Sequence, residues 1–465
     1  MDLYFMLLTI PSIFIGISPP VFNAIIIPFL SRFNGNEFQK SEIAIALFKK
    51  LLIFIVLSAV FGYIATTSLL FFKYNDQQSN VVALGKLITL FIWLYFIFSI
   101  LSSFLSTYLQ SNNKFSKVAI SGLLLPLITI FSVLILNQKI GIISISIGLF
   151  TASFIQFIIF YHASFNSFRR KKEIMNCSYT LKPLYTQIAP VIISLLPFTI
   201  LGSVGVFWAS SLPSGSISFL SYGQSFSGFL SVATGMAVSM ASFPKMTENI
   251  AKGNINESLI SLSKNMRYVL IVSLMVASLF IALRVPILEF LYLSGNFTSN
   301  SVIGLSKVLP WCLIGAVSIA CLNVLRNFYY ASGNYKLLAQ ISLAIPFIFF
   351  IFAGILQYHY SYVGIGMANA ISLTIYLFFV LKYADKNQKI LFNKALIQLV
   401  GKLIIISTCA GISASISYTI IDNLLPQIIS LILSSIIFTL FFIILSLFFK
   451  IIEINNALNY ITLRI

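Results

Sequence analysis

The sequence predicts an all-α polytopic membrane protein with about 13 transmembrane helices, in two pseudo-symmetric lobes followed by a C-terminal helix pair. Of its 465 residues, 59% are hydrophobic and only 9% are charged, and the mean hydropathy is +0.99. A soluble globular fold is excluded, because soluble domains carry roughly 25% charged residues. The apolar runs reach the roughly 18 residues that cross a bilayer as a helix, whereas the ~10-residue alternating strands of membrane β-barrels are absent.

Apolar segments separated by short polar breaks make up the predicted helices. They cover residues 3–30, 51–72, 84–109, 116–137, 140–164, 187–209, 215–243, 268–292, 302–325, 335–357, 362–381, 400–421 and 425–449. Interior prolines are compatible with such helices, because neighbouring helices and hydroxyl side chains can satisfy the freed backbone groups.

A basic linker, "NSFRRKKEIMNCSYTLKPLY" (166–185), divides the chain. It predicts an N-terminal lobe over 1–165, a C-terminal lobe over 186–384, and two extra helices with a cytoplasmic tail over 385–465. One further helix before the first segment would complete two lobes of six helices, a layout typical of transporters built from repeats. The similarity between "VFNAIIIPFLSRF" (21–33) and "GMAVSMASFPKMTE" (235–248) supports a duplication, since each has an apolar helix, a proline and then a basic residue.

The net charge of +18 predicts an orientation in the membrane and not a nucleic-acid site. Only five of the 29 lysines and arginines follow even-numbered segments: Lys73, Lys86, Lys139, Arg284 and Lys307. The positive-inside rule therefore places the other loops and the C-terminus in the cytoplasm and Met1 outside. No cleavable signal peptide is visible before the first segment. Either an N-terminal helix has been lost or the start codon lies further upstream, and we expect the second.

The spans contain no arrangement of residues that supports catalysis, metal binding or redox chemistry. The four cysteines form no CxxC pair, the two histidines are isolated, and most of the 11 acidic residues lie in loops or tails. No HExxH, GxSxG or phosphate-binding glycine loop occurs. We therefore predict no enzymatic activity, no cofactor and no metal.

Charged residues at the predicted outer ends of the helices are candidates for binding an anionic ligand. Asp2, Lys86, Arg284, Glu289 and Lys307 lie there, and charges near the bilayer usually face a cavity. The alternative is that these side chains extend to the lipid headgroups and bind no ligand.

A polar stripe runs through the seventh segment, "SISFLSYGQSFSGFLSVATGMAVS" (216–239). Its small or hydroxylated residues recur at helical spacing on one face: Ser218, Ser221, Ser225, Gly228, Ser231, Gly235 and Ser239. Such residues allow helices to pack closely, or they line a cavity in which Gln224 and the serines offer uncharged hydrogen bonds. Both interpretations are open. The predicted substrate-binding residues are Asp2, Ser218, Ser221, Gln224, Ser225, Arg284, Glu289 and Lys307.

Around this stripe the sequence resembles the MurJ/MviN family, lipid II flippases of the multidrug/oligosaccharidyl-lipid/polysaccharide exporter superfamily. Five stretches resemble motifs of that family in order: "MDLYFMLLTIPSIF" (1–14), "AIIIPFLSRF" (24–33), the stretch 209–254, "FLYLSGNFTSNSV" (290–302) and "LRNFYYASGNYK" (325–336). The resemblance implies fourteen helices, of which this chain lacks the first, and alternating access by two lobes. It further implies a basic central cavity and a groove for a polyprenyl tail formed by the last two helices.

Several charged positions of the family pattern are neutral here. They are Gly205-Val206, Tyr222-Gly223-Gln224-Ser225 and the stretch "IPSIFIGISPPVFNA" (10–24). Since charge-assisted donors bind pyrophosphate best, the expected substrate is lipid II or a related lipid-linked saccharide of surface-polysaccharide assembly. The expected partners are this substrate and membrane lipids, without nucleic acid, for a monomer in the bacterial cytoplasmic (inner) membrane. Two alternatives stay open: a cation-coupled small-molecule exporter and a non-transporting family member.

Overall fold

The structure is a computed structural model, and its described part is helical. It describes residues 2–31, 37–73, 79–112, 114–169, 182–239, 254–295, 297–332, 334–384 and 393–455, with single positions at 242, 246, 249–250 and 391. Within these ranges there is no β-strand. Met1, most of the linker 166–185 and the tail after 455 lie outside the described residues.

Two compact units divide the chain, Met1–Val206 and Phe207–Ile465. The helices of the first are α1 (Asp2–Ser31), α2 (Glu37–Lys73), α3 (Ser79–Ser111), α4 (Phe115–Gly122), α5 (Leu124–Ile140), α6 (Ile143–Arg169) and most of α7 (Lys182–Ala209). The second contains α8 (Ser216–Ser231), a π-helical turn (Val232–Met236), α9 (Ile255–Ala282), α10 (Arg284–Tyr292), α11 (Ser299–Ala331), α12 (Tyr335–Ala384), α13 (Lys394–Ile421) and α14 (Gln427–Phe448).

Helix α3 is the centre of the first unit, where it packs against α1, α2 and α6. Its fully buried Phe104 and Leu109 share a core with Leu30 of α1. Val191 and Leu195, from the first half of α7, belong to the same core. These contacts explain why the first unit extends to Val206, whereas the lobe boundaries at 165 and 186 stay a prediction from the sequence.

The second unit repeats this arrangement around α11, which packs against α8, α9 and α12. After α3 the amide of Lys114 donates to the carbonyl of Leu109 (3.0 Å), and after α11 the amide of Asn334 donates to the carbonyl of Tyr329 (2.9 Å). The same 6→1 bond therefore closes both central helices.

The helices that follow repeat a second feature at the same offset in sequence. Pro126 and Pro346 lie at equivalent places, and so do Gly141 (φ 57°, ψ −133°) and Ser361 (φ 54°, ψ −139°). Gly141 separates α5 from α6, and Ser361 bends α12. This backbone conformation favours glycine. Ser361 is therefore strained, whereas Gly141, at the equivalent position of the first unit, adopts the same conformation without strain. The geometry supports the duplication that the sequence predicted.

Eleven helices in the described residues are long and apolar enough to cross a membrane, so the predicted count of 13 is not confirmed. Two places account for the difference. Helix α8 ends after 16 residues at the π-helical turn, and α12 is one element of 50 residues with a non-helical residue at Ser361. A straight helix of that length would measure about 75 Å, well beyond the ~30 Å hydrocarbon core. The bend at Ser361 divides α12 into two arms of roughly equal length, and each arm is long enough to cross the membrane.

Candidate functional site

All of the predicted binding residues except Asp2 belong to the second unit, and those of the polar stripe lie on α8. Helix α8 begins after Gly215, whose φ of 94° suits glycine. Its Phe219 packs so closely on α11 that a Cβ at Gly304 would lie 2.8 Å from the ring. Phe219 also contacts Tyr362 of α12 at 5.4 Å between ring centroids. The starts of α8 and α11 therefore lie side by side.

An aromatic cluster joins the start of α8 to α9 and α10. The ring centroid of Tyr222 lies 5.4 Å from that of Tyr292 and 5.9 Å from that of Phe297. One turn further along α8, Phe226 contacts Phe280 at 5.9 Å. Pairs at such distances stabilise helix contacts. Sequence analysis missed this cluster, although the one-turn spacing of Tyr222 and Phe226 was a signal for it.

The polar stripe is divided between a buried and an exposed part. Ser218 and Ser231 are buried, with 7% and 5% of their surface exposed. Gln224, Ser225 and Gly228 are exposed, and the Ser225 hydroxyl donates only to its own helix, to the carbonyl of Ser221 (3.0 Å). The residues that remain available to a ligand are therefore the central part of the stripe.

The far end of the stripe is a helix contact. At Gly235 a Cβ would lie 2.7 Å from the carbonyl carbon of Ala320 on α11. The Ser239 hydroxyl donates to the carbonyl of Asn323 (2.9 Å) and accepts from the amide of Asn327 (2.6 Å). The packing role therefore applies to this part of the stripe, and a cavity-lining role for the exposed part stays a prediction. The change from exposed to buried falls between Gly228 and Ser231, before the π-helical turn begins at Val232.

Arg284 lies at a break between α9 and α10. Pro286 has no N–H, so it leaves a carbonyl of the preceding turn without its helical partner. The hydroxyl of Ser415 on α13 shares its proton between the carbonyl of Ala282 (3.3 Å) and that of Gly411 in its own helix (3.1 Å), and the Arg284 guanidinium donates to the carbonyl of Ile281 (3.0 Å). These bonds satisfy the two backbone carbonyls at the break. A role for Arg284 in binding substrate stays a prediction.

Glu289 belongs to a polar group where α10 meets α13 and α14. The Tyr418 hydroxyl hydrogen-bonds to Asp422 and Gln427, and the Glu289 carboxylate is close enough to Tyr418 to interact with it electrostatically. The Gln427 amide donates to the carbonyl of Pro286 (3.4 Å). The structure therefore places Glu289 at the junction with the last two helices and away from the exposed part of the stripe.

The remaining charged candidates are distributed over both units. Lys307 is exposed on α11. Asp2, in the first turn of α1, and Lys86, in α3, belong to the first unit. The Lys86 ammonium lies 4.3 Å from the ring centroid of Phe71, a cation–π contact that requires no ligand.

An apolar groove of about 590 Å³ lies between α9, α10 and α14. It is lined by Leu279, Phe280, Ile287, Phe290, Leu291, Leu431, Ile432, Ser435, Ile436, Thr439 and Leu440. The Ser435 and Thr439 hydroxyls both donate within α14, at 2.8 Å. The groove therefore offers a ligand almost only hydrocarbon contacts.

Arg326, which sequence analysis counted among the loop charges, lies inside the apolar span of α11. Its guanidinium donates to the Asn323 side chain (3.1 Å) and to the carbonyl of Leu322 (3.4 Å), and it interacts electrostatically with Tyr376 of α12. An arginine within a span is costly and marks a functional candidate. The predicted segment 302–325 ended one residue before Arg326, so hydropathy did not indicate that it lies inside the helix.

Comparison with known proteins identifies the family. The family model "Lipid II flippase MurJ" matches residues 1–448. A probable lipid II flippase MurJ of Haemophilus influenzae is 28% identical over 173 residues, which are 36% of this chain and 34% of that relative. One from Buchnera aphidicola is 26% identical over 178 residues, 38% of this chain and 34% of that relative. These alignments span about a third of the length of the curated relatives.

Solved structures share the fold. A lipid II flippase MurJ in an inward closed conformation superposes with a TM-score of 0.76 at 20% identity, over 97% of this chain and 92% of that one. An inward-facing multidrug transporter of the MATE family gives a TM-score of 0.64 at 13% identity, over 83% and 91%. Because this second likeness extends to the fold alone, it does not favour the small-molecule exporter. With a family model that matches nearly its whole length, the chain belongs to the MurJ family of lipid II flippases, which are transporters and not enzymes.

Proposed function

We propose that this chain translocates a polyprenyl-diphosphate-linked saccharide, lipid II or a related precursor, across the bacterial cytoplasmic membrane by alternating access. The observation that carries the proposal is the match of the flippase family model to residues 1–448. The two repeated units support it, since transporters of this kind move one repeat against the other around a binding site.

The apolar groove supports a lipid-linked substrate. Its lining hydroxyls are already bonded within α14, so a long hydrocarbon chain would fill it without leaving a polar group unsatisfied. A small polar molecule would gain little there. We therefore assign the polyprenyl tail to this groove.

The exposed part of the stripe supports recognition of a sugar more than of a charge. Gln224 and Ser225 offer an amide and a hydroxyl at the surface of α8, groups that pair with sugar hydroxyls. The diphosphate needs stronger donors, and we assign Lys307 to it, because Lys307 lies on α11 near the start of α8. Arg326 is 19 residues and about 28 Å further along α11, so it is too far away to bind the same diphosphate in the same state. Arg284 is a second candidate, although it already binds a backbone carbonyl.

The distribution of lysine and arginine supports the orientation. We place the C-terminus and the loops that carry most of the basic residues in the cytoplasm, with the chain as a monomer in the inner membrane. Cysteine accessibility after α14, at exposed Ile452, tests this placement. Labelling of an Ile452→Cys variant by an impermeant reagent in intact spheroplasts would contradict it.

Rescue of a bacterium depleted of its own lipid II flippase tests the function. We expect growth and a fall in accumulated lipid II when the chain is expressed and inserted in the membrane. Ile436→Trp fills the groove and should abolish rescue, whereas Ile444→Trp, on the same helix but outside the groove, should not. Equal rescue by both variants would refute the groove assignment. No rescue by a fully inserted chain would contradict lipid II as the substrate.

The exposed part of the stripe has its own control. Ser225→Leu places a larger apolar side chain where we expect the sugar, and should reduce transport at least tenfold. Phe229→Leu, one turn further and also exposed, should leave transport within twofold. Unchanged transport in Ser225→Leu would remove this face of α8 from the binding surface.

A further inference from the structure

We infer that a basic pocket at the start of α9 binds a phosphate group carried by a membrane lipid. The pocket has a volume of about 390 Å³ and is lined by Ile260, Ser263, Lys264, Arg267, Tyr268, Asn393, Ile452 and Glu453. It lies near the beginning of α9, whereas the apolar groove contacts the end of that helix. The inference therefore goes beyond the proposed transport site and does not depend on it.

Two cations from α9 face this pocket. Lys264 and Arg267 are one turn apart, so they lie on the same side of the helix. Ser263 and Tyr268 add two hydroxyls to the lining. Asn393 caps the start of α13, where its side-chain oxygen accepts from the amide of Leu396 (2.9 Å). The positive end of the α13 dipole therefore adds to the field of the two cations.

The Arg267 guanidinium has an N–H group that its ion pair with Glu453 does not use. One terminal nitrogen bonds to Glu453 at 3.1 Å, with 25% and 11% of the two side chains exposed. The Nε–H of Arg267 is buried and has no hydrogen-bond partner in the described part of the chain. Buried donors are nearly always satisfied in native proteins, so such groups indicate a ligand or an ion.

Glu453 is fixed on the opposite wall and sets the charge of the pocket. The Lys402 ammonium donates to the carbonyl of Phe449 (2.9 Å), and Ile451 is 2% exposed, so the segment after α14 is anchored. Glu453 neutralises one of the two cations. The pocket keeps one net positive charge, which suits a singly charged phosphodiester.

Apolar side chains at the rim favour a lipid over a soluble phosphate. Ile260 is 60% exposed and Ile452 is 65% exposed, and both line the pocket. A phosphate flanked by hydrocarbon is the chemistry of an anionic phospholipid headgroup. The segments that precede α9 and α13 in the sequence carry several lysines, and such basic segments attract the same lipids.

Calorimetric titration of the purified full-length chain in an uncharged detergent tests the inference. The probes are short-chain phosphatidylglycerol and inorganic phosphate. We expect saturable binding of phosphatidylglycerol, weakened about tenfold by Lys264→Ala, because one charged hydrogen bond is lost. Lys336→Ala removes an exposed lysine at the start of α12, outside the pocket, and should leave affinity within twofold.

Glu453→Gln tests whether the charge inside the pocket controls binding. It keeps an acceptor for Arg267 but removes the carboxylate, so we expect severalfold tighter binding, with an unchanged thermal midpoint as the check on folding. Equal weakening by Lys264→Ala and Lys336→Ala, or no saturable binding of either probe, overturns the inference. Inorganic phosphate that binds as tightly as phosphatidylglycerol overturns the lipid as the source of the phosphate.

Discussion

The close approach of α8 and α11 at Gly235 predicts that Gly235→Ala destabilises the second unit. The added Cβ would lie 2.7 Å from the carbonyl carbon of Ala320, and closer still to that residue's Cα and oxygen. Carbon atoms pack at about 3.5–4.0 Å, so one helix must move by about 1 Å. Gly228→Ala is the matched control in the same element, because a Cβ there meets nothing within 4 Å.

The expected loss can be worked out from the contacts that such a movement disturbs. Inserting a methyl group into a packed contact costs about 1–3 kcal/mol. A 1 Å shift would also break the bonds of Ser239 to Asn323 and Asn327, which measure 2.9 and 2.6 Å, at about 0.6 kcal/mol each within a membrane. Alanine improves helix propensity by about 1 kcal/mol at either glycine. Gly235→Ala should therefore be less stable than Gly228→Ala by about 3 kcal/mol.

Thermal unfolding of the purified full-length chain, followed by circular dichroism, measures this difference. We expect Gly235→Ala to unfold roughly 6–12 °C below Gly228→Ala, since 1 kcal/mol corresponds to about 2–4 °C for a domain of this size. Midpoints within 2 °C of each other would refute the close packing of α8 on α11. Ser239→Ala, which removes only the hydrogen bonds, should fall between the two.

Three further substitutions test other parts of the fold. Ser361→Gly should raise the free energy of unfolding by about 1 kcal/mol, because glycine adopts its left-handed backbone without strain. Gly62→Ala should lower it by about 3 kcal/mol, since a Cβ would lie 2.6 Å or less from the ring of Trp93. Ser415→Ala should lower it by about 1 kcal/mol, because the carbonyl of Ala282 loses its donor. The thermal midpoint measures each of these changes.

Each of the three has a result that would contradict it. A lower midpoint for Ser361→Gly would mean that α12 is not bent there. Normal stability of Gly62→Ala would be incompatible with a Trp93 ring fixed by its bond to Thr66 (3.1 Å). An unchanged midpoint for Ser415→Ala would show that another group satisfies the break between α9 and α10.

Hydropathy predicts where most of the helices lie, but it does not predict all of the places where a helix breaks or bends. The segment 268–292 was predicted as one helix, although Pro286 was a signal for the break that ends α9. The bend in α12 has no glycine or proline at its centre. A serine, Ser361, adopts there the conformation that Gly141 adopts in the first unit. Only the alignment of the two repeats could have indicated it.

The candidate site could be predicted only in part. Periodicity placed the polar stripe on one helix face, and it did so correctly for the exposed residues near Ser225. The spacing of the stripe does not indicate which of its residues another helix covers, so the burial of Gly235 and Ser239 against α11 was not predictable. Tyr376 and Tyr418, the tyrosines that interact electrostatically with Arg326 and Glu289, come from other helices, and a single sequence without an alignment does not pair them.

The double role open to Arg284 leads to the sharpest test of the transport site. If it acts only at the helix break, Arg284→Gln should retain transport, because an amide can still donate to the carbonyl of Ile281. Arg284→Ala would then lose about 1 kcal/mol of stability and some transport with it. If Arg284 binds the diphosphate, both variants should lose transport at least tenfold, because neither carries a charge. We expect the first outcome, since the guanidinium already serves the backbone. Loss of transport by a stable, fully inserted Arg284→Gln variant would reverse that assignment.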